Sequence, residues 1–221
     1  AKDVPPEDLK PGASDGIVER PAENTAAYEN IERMLESGDS DSAVREFEKV
    51  KNDSSETVIA YAGLLMASGE YKKSEQELLA LIEREPMNAD AYFNLALVKG
   101  LSGDSDAEIE YLEKAIAVDE NHSQALSVRG SIYLAESELK KASTMFKRSL
   151  DSDPDNIIAL TGYGSALVRE EKYEEAQNYL DRAVELDPSN PFTYLDRSSA
   201  RAAVGDMKGA EADMSSAIEL E

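Results

Sequence analysis

IIALTGYGSALVREEKYEEAQNYLDRAVELDPSN, residues 157–190, carries the organisation of the whole chain in one segment. Leu160, Tyr163, Gly164 and Leu167 fall at i, i+3, i+4 and i+7, the spacing of one face of a helix. Ala176, Leu180 and Ala183 set up a second such face after a short break. Gly164 and Ala176 are small, and small residues let two helix backbones approach. Asp187 precedes a proline and is thereby pushed out of the helical region, so Pro188 stops the second helix. The segment therefore reads helix, tight turn, helix, turn.

The same ending recurs along the chain: Glu85-Pro86-Met87-Asn88, Asp153-Pro154-Asp155-Asn156 and Asp187-Pro188-Ser189-Asn190. Pro154 to Pro188 is one period of 34 residues, and Pro86 to Pro154 is two. A fixed period of this size marks stacked supersecondary units, and such a chain grows by units rather than around a single core. Six units follow: 24–54, 55–88, 89–122, 123–156, 157–190 and 191–221. Their eighth places, from the second unit on, hold the small residues Ala62, Ala96, Gly130, Gly164 and Ser198. Their twentieth places hold Ala43, Ser74, Ala142, Ala176 and Ala210, with a large residue such as Phe47, Leu78, Phe146 or Leu180 four places later. Gly38, Gly69, Gly103 and Gly205 mark the inner turn of four units.

These residues resemble the tetratricopeptide repeat, a helix–turn–helix unit, over about 24–221. The resemblance implies an all-α, right-handed α-solenoid of six repeats whose first helices line a concave groove. Three departures carry expectations of their own. In the short first unit, Tyr28, Ile31 and Leu35 fit a first helix if the turn loses a residue. In the third, Glu108 takes a small residue's place beside Ala107, which predicts a local shift of the second helix, and Glu120 replaces the closing proline. In the sixth, Glu211, Ser215 and Ser216 are expected to supply part of the polar outer face that a terminal repeat needs, the alternatives being a truncated chain or a partner that covers the end.

Residues 1–23 stand apart. They hold Pro5, Pro6, Pro11 and Pro21, half of the chain's eight prolines, and the run Gly12 to Gly16. Proline fixes φ and removes a backbone donor, so this stretch reads as a disordered or extended tether.

Composition excludes several classes of activity. Acids outnumber bases by 46 to 23, a net charge of −23, and a surface this acidic is a poor match for phosphate backbones, so nucleic acid is not an expected partner. With no cysteine, disulfides, thiolate metal sites and a Cys nucleophile are excluded. No apolar run approaches the ~18 residues of a spanning helix. The Ala1 start and the Pro-rich lead favour an exported or periplasmic protein, lipid-anchored at its N-terminus, over a cytoplasmic one.

Candidates for chemistry are few. His122 is the only histidine, and it is expected to be an exposed turn residue, since no partner nearby would orient it as a base. Asp151, Asp153 and Asp155 have the alternating opening of a calcium loop, but Asn156 and Gly162 stand where that loop needs glycine and glutamate. No catalytic residue, metal site or cofactor is expected. Arg197 and Asp213 lie at places that pair in these repeats, predicting an interhelical ion pair; the competing reading is an Arg197–Arg201 site for an acidic peptide.

The resemblance places the second, fifth, ninth, twelfth and thirteenth residues of each unit in the groove. Of those in units two to six, which include Met66 and Ser127, only Glu56, Asp90 and Arg169 are charged, in a chain that is 31% charged. The expected contacts are Ile59, Phe93, Asn94, Leu97, Leu134, Val168, Arg169 and Leu195. The clamp of Lys, Arg and Asn with which chaperone-tail binders of this family hold a C-terminal carboxylate is missing, apart from Asn94. The expected function is a protein–protein interaction scaffold or assembly factor that takes an amphipathic helix or an extended peptide in an apolar groove. The alternatives are a regulatory or targeting module of a larger enzyme, a binder of small apolar ligands, self-association, and residues 1–23 filling the groove themselves.

Overall fold

Capping side chains and left-handed turn residues divide the chain into twelve helices in the computed structural model, which describes residues 25–220. They are α1 (Thr25–Glu36), α2 (Ser40–Val50), α3 (Ser55–Ala67), α4 (Tyr71–Arg84), α5 (Ala89–Leu101) and α6 (Ser105–Val118). The second half holds α7 (Ser123–Ala135), α8 (Leu139–Ser152), α9 (Ile157–Arg169), α10 (Tyr173–Leu186), α11 (Pro191–Ala203) and α12 (Met207–Glu219). No strand occurs among the described residues. Each odd-numbered helix packs on the even-numbered one after it, so the chain is an all-α solenoid of six helical hairpins. The proposed tether, residues 1–23, lies outside the described residues.

The closing motif works as a helix stop followed by a helix start. Asn88 and Asn156 accept bonds from the Ala91 and Ala159 amides, each at 2.9 Å, and so cap α5 and α9. Inside the hairpins the turn follows one pattern. The Gly69 amide bonds back to the Met66 carbonyl and the Glu70 amide to the Leu65 carbonyl, a Schellman closure that needs a left-handed residue at Gly69 (φ 77°). The two hairpins without glycine there use Ser137 (φ 62°) and Glu171 (φ 59°) in the same conformation.

Two sequence expectations are corrected. The first hairpin keeps the three-residue turn Ser37, Gly38, Asp39, and loses its length in α2, which has 11 residues against 14 in α4. The third keeps its register: α6 begins at Ser105, in step with Tyr71 of α4, and Glu108 stays in its place because Gly100 on α5 leaves room for its carboxylate.

The chain forms two compact units, one ending at Val118 and one beginning at Asp119. In the first, Ile31, Ala43, Val44, Phe47, Tyr61 and Leu65 make one core, with the Phe47 and Tyr61 rings stacked at 5.9 Å. Ala62, Met66, Leu78, Leu95 and Val98 make a second. The twentieth place meets the eighth directly: the Ser74 hydroxyl donates to the Ala62 carbonyl at 2.9 Å.

In the second unit the core centres on Phe146, Tyr163, Leu167 and Leu180. The Phe146 ring lies against both Gly130 on α7 and Gly162 on α9, and Leu180 lies against Gly164. At each of these glycines an added Cβ would overlap the neighbouring side chain. On α12 the pattern changes. Met214 is 45% exposed, whereas Leu180, one period earlier, is fully buried. Met207 and Ile218 are exposed on the same helix beside the exposed Glu211 and Ser215, so its outer face mixes apolar side chains with the polar ones expected.

Candidate functional site

His122 is not an exposed turn residue. It is buried as the N-cap of α7, and its Nδ1 accepts from the Ala125 amide at 3.2 Å, the role that asparagine plays in the neighbouring repeats. Asp155 of the calcium-like run instead accepts two bonds from Arg182, at 2.8 and 2.9 Å, and the Asp153 carboxylate accepts the Asp155 amide. Among the described residues no group of His, Asp and Glu is arranged to hold a metal ion, and no helix is long and apolar enough to cross a membrane.

Arg197 and Asp213 belong to a four-membered network rather than a pair. Arg197 donates two bonds to Asp213, at 2.6 and 2.9 Å, and a third to Asp181 at 2.9 Å. Arg201 donates to the same two carboxylates at 2.9 and 3.1 Å. Both guanidinium groups are thus occupied inside the fold, which leaves no open Arg197–Arg201 pair for an acidic peptide.

The odd-numbered helices carry the expected contact residues, and each unit is distinct. In the first unit Ile59 and Leu97 are half-buried and pack on the core of Ala62, Met66, Leu78, Leu95 and Val98. Met66, at a groove place, is buried outright. Phe93 is half-buried, and the Asn94 amide turns back to the Asp90 carbonyl at 2.8 Å. Glu108, which the sequence marks only as a register shift, is a further acid here. Its carboxylate rests against Gly100, and burial raises its pKa above the ordinary 4.5.

That shift has a definite sign. A carboxyl whose pKa is raised in the folded state binds its proton more tightly there than in the unfolded chain, so stability falls as pH rises above about 4.5. Glu108→Gln removes the cost. It is expected to raise the thermal midpoint at pH 7, with the gain shrinking as pH falls toward 4.5 and gone below it; denaturation scans across that range check it.

In the second unit α7, α9 and α11 lie side by side. Leu134 and Val168 are half-buried on the Phe146 core, and Ser127, at a groove place, is buried. Arg169 reaches from α9 to α7 and donates to the Leu134 carbonyl at 3.1 Å, satisfying an acceptor of that helix's last turn. Leu195 is half-buried. The more exposed apolar residues of this layer are elsewhere: Ile157 (36%) and Ile158 (41%) open α9, and Phe192 (52%) opens α11.

Contacts along the α9–α11 seam set its register. Thr161 and Thr193 hydroxyls meet at 3.3 Å, and one turn further the Ser165 hydroxyl donates to Asp196. The seam therefore runs from apolar side chains, through hydroxyls, to an acid, with Arg169 beyond it. Burial raises the Asp196 pKa, against the lowering influence of the Ser165 bond and of Arg169. Sequence reading missed Asp196. The available signal was its place four residues after Phe192, on the same face of one helix.

Comparison with known proteins adds the family and the fold. A family model described as the tetratricopeptide repeat protein 21 N-terminal ARM repeat matches residues 26–209. The fold is similar to that of PilF of Pseudomonas aeruginosa, with a TM-score of 0.65 at 17% identity, over 75% of this chain and 76% of that one. It is also similar to MamA of Desulfovibrio magneticus RS-1, with a TM-score of 0.59 at 18% identity, over 76% and 96%. YrrB, described as a TPR protein with an unusual peptide-binding site, matches with a TM-score of 0.57 at 18% identity, over 75% and 85%.

Proposed function

The chain belongs to the tetratricopeptide-repeat family, through the model that matches residues 26–209, and on that premise we propose that it is a protein-interaction scaffold that takes a partner segment at the α9–α11 seam of its second unit. The observation that carries the reading is the exposure of Ile158 and Phe192 at the head of that seam. Two large apolar side chains in water on one face, beside the half-buried Leu195, make an anchor point for an apolar side chain of a ligand. Each gains up to about 1.5–3 kcal/mol on full burial, scaled down here by the part already covered. The peptide-binding site named for YrrB supports the general mode.

Leu97, Leu134 and Val168 are poorer probes than sequence suggests, because each also packs on a core. Ile158→Glu together with Phe192→Glu tests the surface without opening a core. The expected result is a loss of partner binding of at least about tenfold, since charge placed at an interface centre loses its hydration without a counter-charge. Helicity by circular dichroism stays unchanged. Undiminished capture of the partner by the double variant would remove the seam from the function.

A further inference from the structure

Two aspartates of the second unit stand in contrasting surroundings. Asp213 is buried and meets both Arg197 and Arg201. Asp196 is half-buried on the seam, accepts the Ser165 hydroxyl, and forms no ion pair with a Lys or Arg among the described residues. Arg169, the cation whose field reaches it, holds the Leu134 carbonyl instead. A carboxylate accepts about four hydrogen bonds and is costly to desolvate unless a cation or several donors answer it. Asp196 keeps most of that capacity unused, one helical turn from Phe192.

We infer that Asp196 sets the specificity of the seam: it selects a peptide segment in which a lysine or arginine lies next to an apolar anchor, the cation meeting Asp196 while the anchor packs on Ile158 and Phe192. The inference rests on the seam being the binding surface. Charge complementarity supports the cationic class, since a chain of net charge −23 draws basic segments toward itself. Long-range attraction does not by itself place a cation, whereas a half-desolvated carboxylate beside an apolar anchor does. The raised pKa of Asp196 agrees with a carboxyl whose burial outweighs the Ser165 bond and the field of Arg169.

The test separates charge from tethering. Asp196→Asn keeps an oxygen to accept from Ser165 but removes the charge, and it changes the chain's overall field by a single unit. Ser165→Ala removes the tether and keeps the charge. A random 12-residue peptide library is selected on the full chain, and one enriched peptide is titrated by fluorescence anisotropy. Enriched peptides are expected to carry a basic residue beside an apolar one. Replacing that basic residue by alanine should weaken binding about tenfold on the native chain and on Ser165→Ala, but less than about twofold on Asp196→Asn. An equal loss on the native chain and on Asp196→Asn overturns the inference and leaves the seam standing. Peptides that bind Ile158→Glu/Phe192→Glu as well as the native chain, or a library yielding none that depends on those two residues, overturn the seam and the inference together.

Discussion

Phe146→Ala is expected to cost about 3–5 kcal/mol of stability, among the largest effects of any single substitution in this chain. The ring is fully buried and fills the space left by two glycines on two different helices, Gly130 and Gly162. A Cβ at Gly130 would lie 2.8 Å from the ring, and one at Gly162 closer still. Removing the ring leaves a cavity that three backbones border and that none can close without moving its neighbours. The converse experiment is sharper. Alanine in a helix is favoured over glycine by about 1 kcal/mol, so Gly162→Ala ought to stabilise an isolated α9. In the native background it is expected to destabilise, because the methyl meets the Phe146 ring. Combined with Phe146→Ala it should become stabilising. Denaturant titrations of the two single variants and the double variant read the coupling, and a Gly162→Ala effect of unchanged sign in both backgrounds would refute the packing described.

Asp213→Ala is expected to cost about 3–5 kcal/mol, the range for breaking a buried ion pair from one side. Asp213 is 2% exposed and answers Arg197 in two bonds and Arg201 in one. Without it, Arg197, itself nearly buried, keeps only Asp181 as an anionic partner, beside the Tyr194 ring. The companion variant sets the scale. Asp181 touches the same two arginines but has about half its side chain in water, so Asp181→Ala should cost no more than about 1 kcal/mol. Replacing the inner pair together, as Arg197→Met with Asp213→Leu, should recover most of the loss, because an apolar pair carries no desolvation cost. Thermal and urea midpoints of the four proteins decide it. Equal losses for Asp181→Ala and Asp213→Ala would mean that burial is not what gives Asp213 its weight.

Much of the fold was legible because repeat architecture is written in local signals. Prolines after Asp187, Asp153 and Glu85, glycines in the inner turns, and apolar spacing near 3.6 each act within a few residues. The rest was hidden where a local signal was absent or ambiguous. Ser137 and Glu171 take left-handed turn conformations that only glycine advertises in sequence. His122 reads as a loop residue, although its Nδ1 does the work of an asparagine cap. Glu108 looked like a register shift because the space that admits it belongs to Gly100 on the preceding helix.

The site was legible only as a set of places. Counting along each unit picked Leu97, Leu134 and Val168, and the structure puts all three partly into cores. Sequence by itself determined the twelve helices of the described residues, their pairing into hairpins and the low charge of the groove places in units two to six, since these follow from spacing within a helix and from place within the repeat. Only the tertiary structure decided which side chains stay in water and which charges find partners. Asp196 and Asp213 are the same residue in neighbouring helices, yet one meets two arginines and the other a serine. That difference depends on which helix faces each of them across a packed layer, a distance that no pattern along the chain encodes.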